Sequence, residues 1–174
     1  MQRWILTDLH LNHVNMAKKY RPADYQSQLV RNCQVIAPDD EVEILGDIIM
    51  GKTEPYLAQF MAQIPGIKHG VRGNHDHRSD HTYCSMGFAT FDDARVVPSS
   101  LGDIYLTHKP AYCLLPDTVL NVHGHLHDDF HRLDEYKGEY PEPWHRLLSL
   151  ELAGYKPVLL EEFIRTRGHF ERIK

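Results

Sequence analysis

Aspartate, asparagine and histidine residues recur in short groups along this sequence. Its 174 residues include 13 histidines, many of which stand beside Asp or Asn. In chain order the groups are Asp8-Leu9-His10, Gly46-Asp47, Gly73-Asn74-His75-Asp76, His108 and Gly124-His125-Leu126-His127. Imidazole nitrogens mixed with carboxylate and amide oxygens suit Mn, Fe or Zn better than Ca or a thiolate-bound metal. The pattern therefore predicts a metal centre.

Each of these groups follows a segment with the pattern of a β-strand. The five predicted strands are Gln2–Thr7, Glu41–Leu45, Ile67–Val71, Ile104–Thr107 and Val119–His123. Functional sites of open α/β sheets collect at the carboxyl ends of the strands. We therefore expect five separate segments to converge on one crevice.

The remaining elements indicate two stacked sheets flanked by helices. Helical spacing predicts helices over Asp24–Ile36 and Thr53–Ile64, with Thr53 as an N-cap. Two further strands are predicted over Leu147–Glu151 and Val158–Leu160, and Asp128–His145 is predicted to be a long loop. Helix–strand alternation followed by a strand-rich half is typical of layered α/β folds. With no linker or repeat, residues 1–174 are expected to form one domain.

Composition narrows the classes of function. The net charge of −5 gives no electrostatic reason to expect a general binder of nucleic acid or membranes. Three widely spaced cysteines form no disulfide framework, and no apolar run approaches the length of a membrane span. We expect a cytoplasmic protein that does not enter a membrane. Its oligomeric state is not indicated.

Taken in order, the five groups resemble the motifs of the calcineurin-like metallophosphoesterases, in particular small prokaryotic or phage members without a cap domain. The motifs cover the chain from Met1 to about His127. The resemblance implies a four-layer αββα sandwich of two mixed β-sheets flanked by helices, with the metal site at strand carboxyl ends. It also implies a dinuclear phosphoesterase that hydrolyses phosphate esters by in-line attack of a metal-bridging hydroxide.

The same resemblance assigns seven ligands to two divalent ions, which would be Mn, Fe or Zn, with Mn favoured. The first ion takes Asp8, His10 and His127. The second takes Asn74, His108 and His125. Asp47 bridges the two, and a carboxylate is well suited to span ions roughly 3.5–4 Å apart. His75 is left as the proton donor to the leaving oxygen.

Other residues are open to two interpretations. His13 and Arg78 are candidates for substrate contact. His13 could equally be a surface residue at a helix N-terminus, and for Arg78 a solvated loop position is the favoured interpretation. His77 and His81 are expected at the surface, and His123 is expected to end a strand rather than to be an eighth ligand. The aromatic residues of the long loop either line a substrate wall or pack that loop onto the sandwich; they are Tyr136, Tyr140 and Trp144.

The substrate is expected to be a small phosphate ester. Phosphodiesters are favoured over monoesters because there is no cap domain and no evident Arg clamp for a dianion. Phosphoprotein phosphatases of this superfamily carry an Asp-Arg pair just after the second motif, whereas this chain has Ile48-Ile49-Met50-Gly51 there. That difference argues against a protein phosphatase and leaves the orienting partner of His75 undetermined. The alternatives are a metal-dependent nuclease and a non-catalytic binding scaffold of the same fold.

Overall fold

The computed structural model describes residues 1–51, 54–128 and 142–169. The described strands are β1 (Arg3–Leu6), β2 (Glu41–Leu45), β3 (Ile67–Val71), β4 (Thr90–Asp92), β5 (Arg95–Val97), β6 (Asp103–Thr107), β7 (Thr118–His123), β8 (His145–Leu147) and β9 (Val158–Leu159). The described helices are α1 (Val14–Lys19), α2 (Tyr25–Asn32), α3 (Glu54–Met61), α4 (Asp80–Ser85) and α5 (Leu160–Phe163). A 3₁₀ turn over Cys33–Val35 extends α2.

The strands form two mixed sheets. The first has the order β4-β3-β2-β1-β9, in which only β9 runs antiparallel to its neighbour. The second has the order β5-β6-β7-β8, in which β5 is the antiparallel strand. Because the central strands of both sheets are parallel, their carboxyl ends lie along one edge of each sheet.

Alternate residues of the first sheet enter two different cores. Leu6 and Ile44 face a cluster that α2, α3 and α4 complete with Leu29, Leu57 and Tyr83. Side chains of successive residues in a strand point to opposite faces. The first sheet is therefore covered on both faces.

The second core fills the space between the two sheets. Ile5 and Leu45 of the first sheet meet Leu106 and Val122 of the second, and Phe163 of α5 joins them. The structure thus has two facing sheets, with α2, α3 and α4 against the outer face of the first sheet and α5 against the core between the sheets. This arrangement confirms the predicted αββα class. In the described part of the chain, no helix has the length and apolar character needed to cross a membrane.

Most element predictions hold to within a few residues. Glu41–Leu45 and Ile67–Val71 match residue for residue. The segment predicted as a strand over Leu147–Glu151 is wrong, because the strand is His145–Leu147. After Leu148 the chain turns, with backbone hydrogen bonds from Ala153 to Ser149 and from Tyr155 to Leu150. The predicted loop over Asp128–His145, including Tyr136 and Tyr140, falls mostly outside the described residues, as does Thr53.

Several short elements carry too little sequence pattern to be predicted. Helices α1 and α4 are six residues long, and strands β4 and β5 are three residues long. Periodicity becomes informative only over windows of about 11 residues or more. Tertiary pairing, rather than local sequence, establishes these elements.

Candidate metal centre

Strand ends from both sheets deliver the predicted ligand residues to one edge of the sandwich. The first sheet contributes Asp8 and His10 after β1, Asp47 after β2, and Asn74 after β3. The second sheet contributes His108 after β6, and His125 and His127 after β7. All seven lie in one connected group of contacts. The convergence expected from strand placement is therefore present.

Asp8, His10 and His127 form the first cluster. Their ligand atoms all lie within 4.8 Å of one another, and all three side chains are buried. The Nε2 atoms of His10 and His127 are 3.2 Å apart, and Asp8 Oδ1 is 3.4 Å from His127 Nε2. Three donor atoms therefore face a common point.

Asp47, His108 and His125 form the second cluster, also within 4.8 Å. His125 Nδ1 lies 3.2 Å from His108 Nε2. Asn74 Oδ1 adds an amide oxygen 3.0 Å from the same His108 nitrogen. The arrangement gathers two imidazoles, one carboxylate and one amide.

Asp47 stands between the clusters. Its Oδ2 atom is 3.7 Å from His10 Nε2 of the first cluster and 3.5 Å from His108 Nε2 of the second. Its Oδ1 atom instead accepts a hydrogen bond of 2.9 Å from the backbone N–H of His75. One carboxylate oxygen thus faces both clusters while the other anchors the loop that follows β3.

The donor set fits divalent cations. Within the described residues, Asp8 Oδ1 and His10 Nδ1 are buried without a hydrogen-bond partner. Buried polar atoms in proteins are normally paired, so an unpaired carboxylate oxygen facing imidazole nitrogens fits a site for a cation. Mixed nitrogen and oxygen ligands are those of Mn, Fe or Zn.

The backbone at these ligands is unusual. Asp8, His10, Asp47, His125 and His127 all have φ between 45° and 70°. The left-handed region costs non-glycine residues roughly 1–2 kcal/mol each, and such strain concentrates at functional sites. Five of the seven predicted ligands therefore have a backbone conformation that costs free energy and that a purely structural role does not require.

Neighbouring groups in the clusters lower the pKa values of the two aspartates. Burial opposes ionisation of Asp8, but nearby His127, His108 and His10 outweigh it and lower the pKa of this carboxyl. Burial likewise opposes the charge on Asp47, whose pKa still lies well below its usual range because His108 and the His75 amide stabilise it. Both carboxylates are therefore ionised at neutral pH.

The histidines shift in opposite directions. Burial would lower the pKa of His108, but the Asp47 and Asp8 carboxylates raise it to about 9. Burial dominates at His10 and lowers its pKa to about 3, although Asp8 and Asp47 act the other way. His108 thus holds a proton at neutral pH, whereas His10 is uncharged and can offer a nitrogen lone pair to a cation.

A buried ion pair that no sequence pattern indicated supports the first cluster. Glu151 Oε1 accepts hydrogen bonds from Arg21 Nε at 2.9 Å and from Arg21 Nη2 at 2.6 Å. The same oxygen lies 3.0 Å from His127 Nδ1. A carboxylate on Nδ1 fixes the tautomer so that Nε2 is the free donor atom toward the cluster. Arg21 also donates to the carbonyl oxygens of Asp8 and Leu9.

Asp76 connects two ligand loops and does not serve as a partner for His75. Its carboxylate accepts from the backbone N–H of Ile48 at 3.1 Å and from that of Gly73 at 2.9 Å. The Tyr83 hydroxyl donates to it at 3.1 Å. Asp76 therefore ties the loop that carries Asp47 to the loop that carries Asn74.

His75 and His13 lie at the mouth of the centre. The His75 ring centroid is 5.7 Å from that of His10 and 6.5 Å from that of His13. His13 caps α1, where its Nδ1 accepts from Met16 N–H and leaves Nε2 as a donor. Arg78 is placed differently, because its guanidinium bonds Glu54 at 2.8 Å and also the Gly51 carbonyl.

None of the other histidines considered from sequence belongs to either cluster. His77 and His81 are exposed. His123 is fully buried at the end of β7, where its Nδ1 lies 3.0 Å from the Gly124 carbonyl. Trp144 is half-buried, and its ring lies 3.9 Å from that of His145. Trp144 therefore packs against the fold at this point.

Comparison with known proteins identifies the family. The sequence profile of the calcineurin-like phosphoesterases matches residues 1–168. The chain belongs to this family. The motif resemblance is thereby confirmed over almost the whole sequence, including the residues after His127, which the motifs do not cover.

Two relatives of this calcineurin-like phosphoesterase have comparable length. An uncharacterised protein of Methanocaldococcus jannaschii is 29% identical over 171 residues, which cover 93% of this chain and 89% of the relative. The gene 66 protein of Mycobacterium phage L5 is 26% identical over 186 residues, which cover 84% of this chain and 89% of the relative. A solved structure of a protein of unknown function from Aquifex aeolicus has a TM-score of 0.68 at 21% identity, covering 90% of this chain and 94% of its own. That likeness supports the fold.

Proposed function

We propose that this calcineurin-like phosphoesterase hydrolyses phosphodiesters with the help of two divalent metal ions. The observation that carries the proposal is the position of Asp47 Oδ2, which lies 3.7 Å from His10 Nε2 and 3.5 Å from His108 Nε2. A carboxylate oxygen shared by two clusters of ligand-capable groups suits a dinuclear site.

The residues of the two clusters fit the roles assigned by their motifs. Asp8, His10 and His127 would hold one ion, and Asn74, His108 and His125 would hold the other. Bound divalent cations lower the pKa of water and neutralise charge on phosphoryl oxygens. Mn is favoured for both positions, with Fe and Zn as the other candidates.

His75 would give a proton to the leaving oxygen. Its side chain is 38% exposed, so it can reach a bound ester, and its backbone N–H is fixed by Asp47. His13 would donate a hydrogen bond from Nε2 to the substrate, because its Nδ1 is occupied by Met16 N–H. Of the two candidate substrate contacts, His13 is the better placed, since Arg78 is paired with Glu54.

Three arginines adjoin the ligand loops in the described residues, and all are already paired, which favours diesters. Arg21 is ion-paired with Glu151, Arg72 with Asp80 and Asp93, and Arg78 with Glu54. A monoester dianion is best bound by a guanidinium that can form two hydrogen bonds to it. A diester carries a single negative charge and needs no such clamp.

The test is hydrolysis of bis(4-nitrophenyl) phosphate after treatment with chelator and addition of one metal at a time. We expect chelator to abolish activity, and Mn to restore it well above Ca, because Ca prefers all-oxygen cages. Metal counting after gel filtration should give two ions per chain. Asp47→Asn should weaken both ions, whereas His10→Ala should affect mainly one.

Two outcomes would contradict the proposal. Equal rescue by Ca would count against the His-rich ligand set. Full activity and two tightly held ions in Asp47→Asn would exclude the shared carboxylate. Hydrolysis of oligonucleotides in preference to small diesters would instead support a nuclease. Bound metal without hydrolysis of any ester would support a binding scaffold.

A further inference from the structure

A groove of about 570 Å³ opens beside Asn74 and His108. Its walls include Tyr105, Pro110, Tyr112 and Leu115. Tyr112 is 78% exposed and Leu115 is 41% exposed, although both are apolar enough to be expected in a core. Exposed apolar and aromatic side chains that line a concavity next to a catalytic centre are typical of a ligand-binding surface.

Buried polar side chains hold one wall of this groove in place. The backbone N–H of Ala111 donates to Asn121 Oδ1 at 3.0 Å, and its carbonyl oxygen lies 2.9 Å from His145 Nε2. His145 Nδ1 accepts from Glu142 N–H, so Nε2 carries the proton and donates to Ala111. Asn121 and His145 are 0% and 2% exposed. The wall is therefore built before any ligand arrives, which reduces the cost of binding.

The groove and His75 lie toward different clusters. The His75 ring packs toward His10 and His13, on the side of the first cluster. The groove instead borders Asn74 and His108 in the second cluster. In an in-line displacement the leaving oxygen stands opposite the attacking oxygen, while the other ester arm remains on phosphorus. The arm that His75 protonates and the arm next to the groove are thus different arms.

We propose that the groove binds the retained arm of a phosphodiester and that this arm is planar and apolar. The inference rests on the proposed function. In the reaction, a water molecule loses one proton to solvent as its oxygen bonds to phosphorus, and the bond to the leaving oxygen breaks. The leaving oxygen takes the proton of His75, which then regains a proton from solvent. The ester bond to the retained arm stays intact, so the product is a monoester that still bears it. Tyr112 and Leu115 contact that arm.

The test compares two diesters that release the same nitrophenolate: phenyl 4-nitrophenyl phosphate and methyl 4-nitrophenyl phosphate. Tyr112→Ala should lower kcat/KM for the phenyl diester by roughly 2- to 10-fold, the range expected for loss of an aromatic pair. The methyl diester should be unaffected. Leu115→Ala should act in the same direction, and Tyr20→Ala is the matched control, because Tyr20 is 70% exposed and does not line the groove.

A binding measurement separates the groove from the chemistry. Calorimetric titration of the Mn-loaded protein with phenyl phosphate and methyl phosphate should show that Tyr112→Ala weakens only the phenyl monoester. An unchanged kcat/KM for both diesters in Tyr112→Ala would overturn the groove assignment alone. An equal loss on both diesters would place the nitrophenyl arm in the groove and overturn the assignment to the retained arm. No hydrolysis of either diester by the Mn-loaded wild type would reject the proposed function and this inference together.

Discussion

At the scale of single residues, His75 has surroundings unlike those of the histidines beside it. Its side chain is 38% exposed, whereas those of His10 and His127 are 5% and 8% exposed. Its Nε2 lies 3.8 Å from Asp47 Oδ2, too far for a hydrogen bond. An imidazole that faces both the centre and solvent is suited to proton transfer rather than to holding an ion.

This role predicts a dependence on the leaving group. An alkoxide of high pKa needs a proton as its P–O bond breaks, whereas nitrophenolate leaves without one. General acid catalysis is worth roughly 10²–10⁴-fold where it is needed. His75→Asn should therefore keep its metal content and much of its rate on nitrophenyl diesters, and lose far more on alkyl diesters. The measurement is the ratio of the two rates in wild type and variant.

His125→Ala is the comparison for this experiment. It removes a group from the second cluster, so it should depress both rates together and lower the metal content. If the ratio in His75→Asn equalled that of the wild type, His75 would not be the general acid. It would then be a contact to the phosphoryl oxygens, which matter equally for every leaving group.

At the scale of elements, glycine allows the strand-end loops to meet. A side chain at Gly73 would overlap the backbone N and Oδ1 of Asp47, and one at Gly124 would overlap Thr7 Oγ1 and Asp8 Oδ2. The loops after β3 and β7 therefore press directly against the carboxylates delivered by β2 and β1. In the motifs, each glycine stands just before the ligands because only hydrogen fits at these approaches.

The Arg21–Glu151 ion pair is the second feature at this scale, because it positions His127. Glu151 is held ionised because His127 and Arg21 lower its pKa strongly against the effect of burial. Glu151→Gln keeps an oxygen for His127 Nδ1 but removes the charge that makes this imidazole a better donor. Loss of such a supporting group typically costs 10- to 100-fold in metal affinity. We expect a loss of that order, measured by Mn titration.

The control is Glu162→Gln, an exposed glutamate of α5 that should change nothing. Glu151→Gln also leaves Arg21 buried without its counter-charge. The free energy of unfolding of Glu151→Gln in chelator should therefore fall by roughly 3–5 kcal/mol. Full metal affinity in Glu151→Gln would show that the pair supports the fold alone.

The sequence predicted the elements that carry long apolar patterns and missed those that depend on distant partners. β2 was predictable because four of its five residues are buried, and β3 because the turn signal Pro65-Gly66 marks where it begins. Glu151 was placed in a strand because Leu147-Leu148 precedes it, yet the chain turns there so that Glu151 meets Arg21, 130 residues away. No local pattern reports such a contact. The clustering of these side chains was predictable because their motifs are short and contiguous. Their roles as metal ligands, like the roles assigned to His75, His13 and Arg78, stay predictions.

At the scale of the whole molecule, the centre depends on both sheets. The first cluster joins Asp8 and His10 of one sheet to His127 of the other, and the second joins Asp47 to His108 and His125 in the same way. Neither cluster forms unless the sheets are docked. Cation binding should therefore stabilise the complete sandwich rather than either sheet alone.

The buried histidines make the stability of the metal-free protein depend on pH. Burial lowers the pKa of His10 and His123 to about 3, against about 6.5 in the unfolded chain. Below pH 6.5 the unfolded state binds protons that the folded state refuses, so stability falls as pH falls, by up to about 1.4 kcal/mol per pH unit for each group. His108, with its pKa raised to about 9, acts oppositely: its contribution is complete below pH 6.5 and is lost as pH rises to 9. In chelator, the free energy of unfolding should therefore peak near pH 6.5.

Added Mn should move this peak to higher pH, and urea unfolding at pH 5, 6.5, 8 and 9 would measure the shift. The reason is that a ligand histidine must lose its proton before it binds a cation, so metal affinity rises as His108 titrates. The stabilisation by bound metal then grows over the pH range in which the metal-free protein weakens. A peak at the same pH with and without Mn would mean that the proton on His108 does not compete with the metal. That result would remove His108 from the ligand set, while leaving the acid limb caused by His123 unchanged.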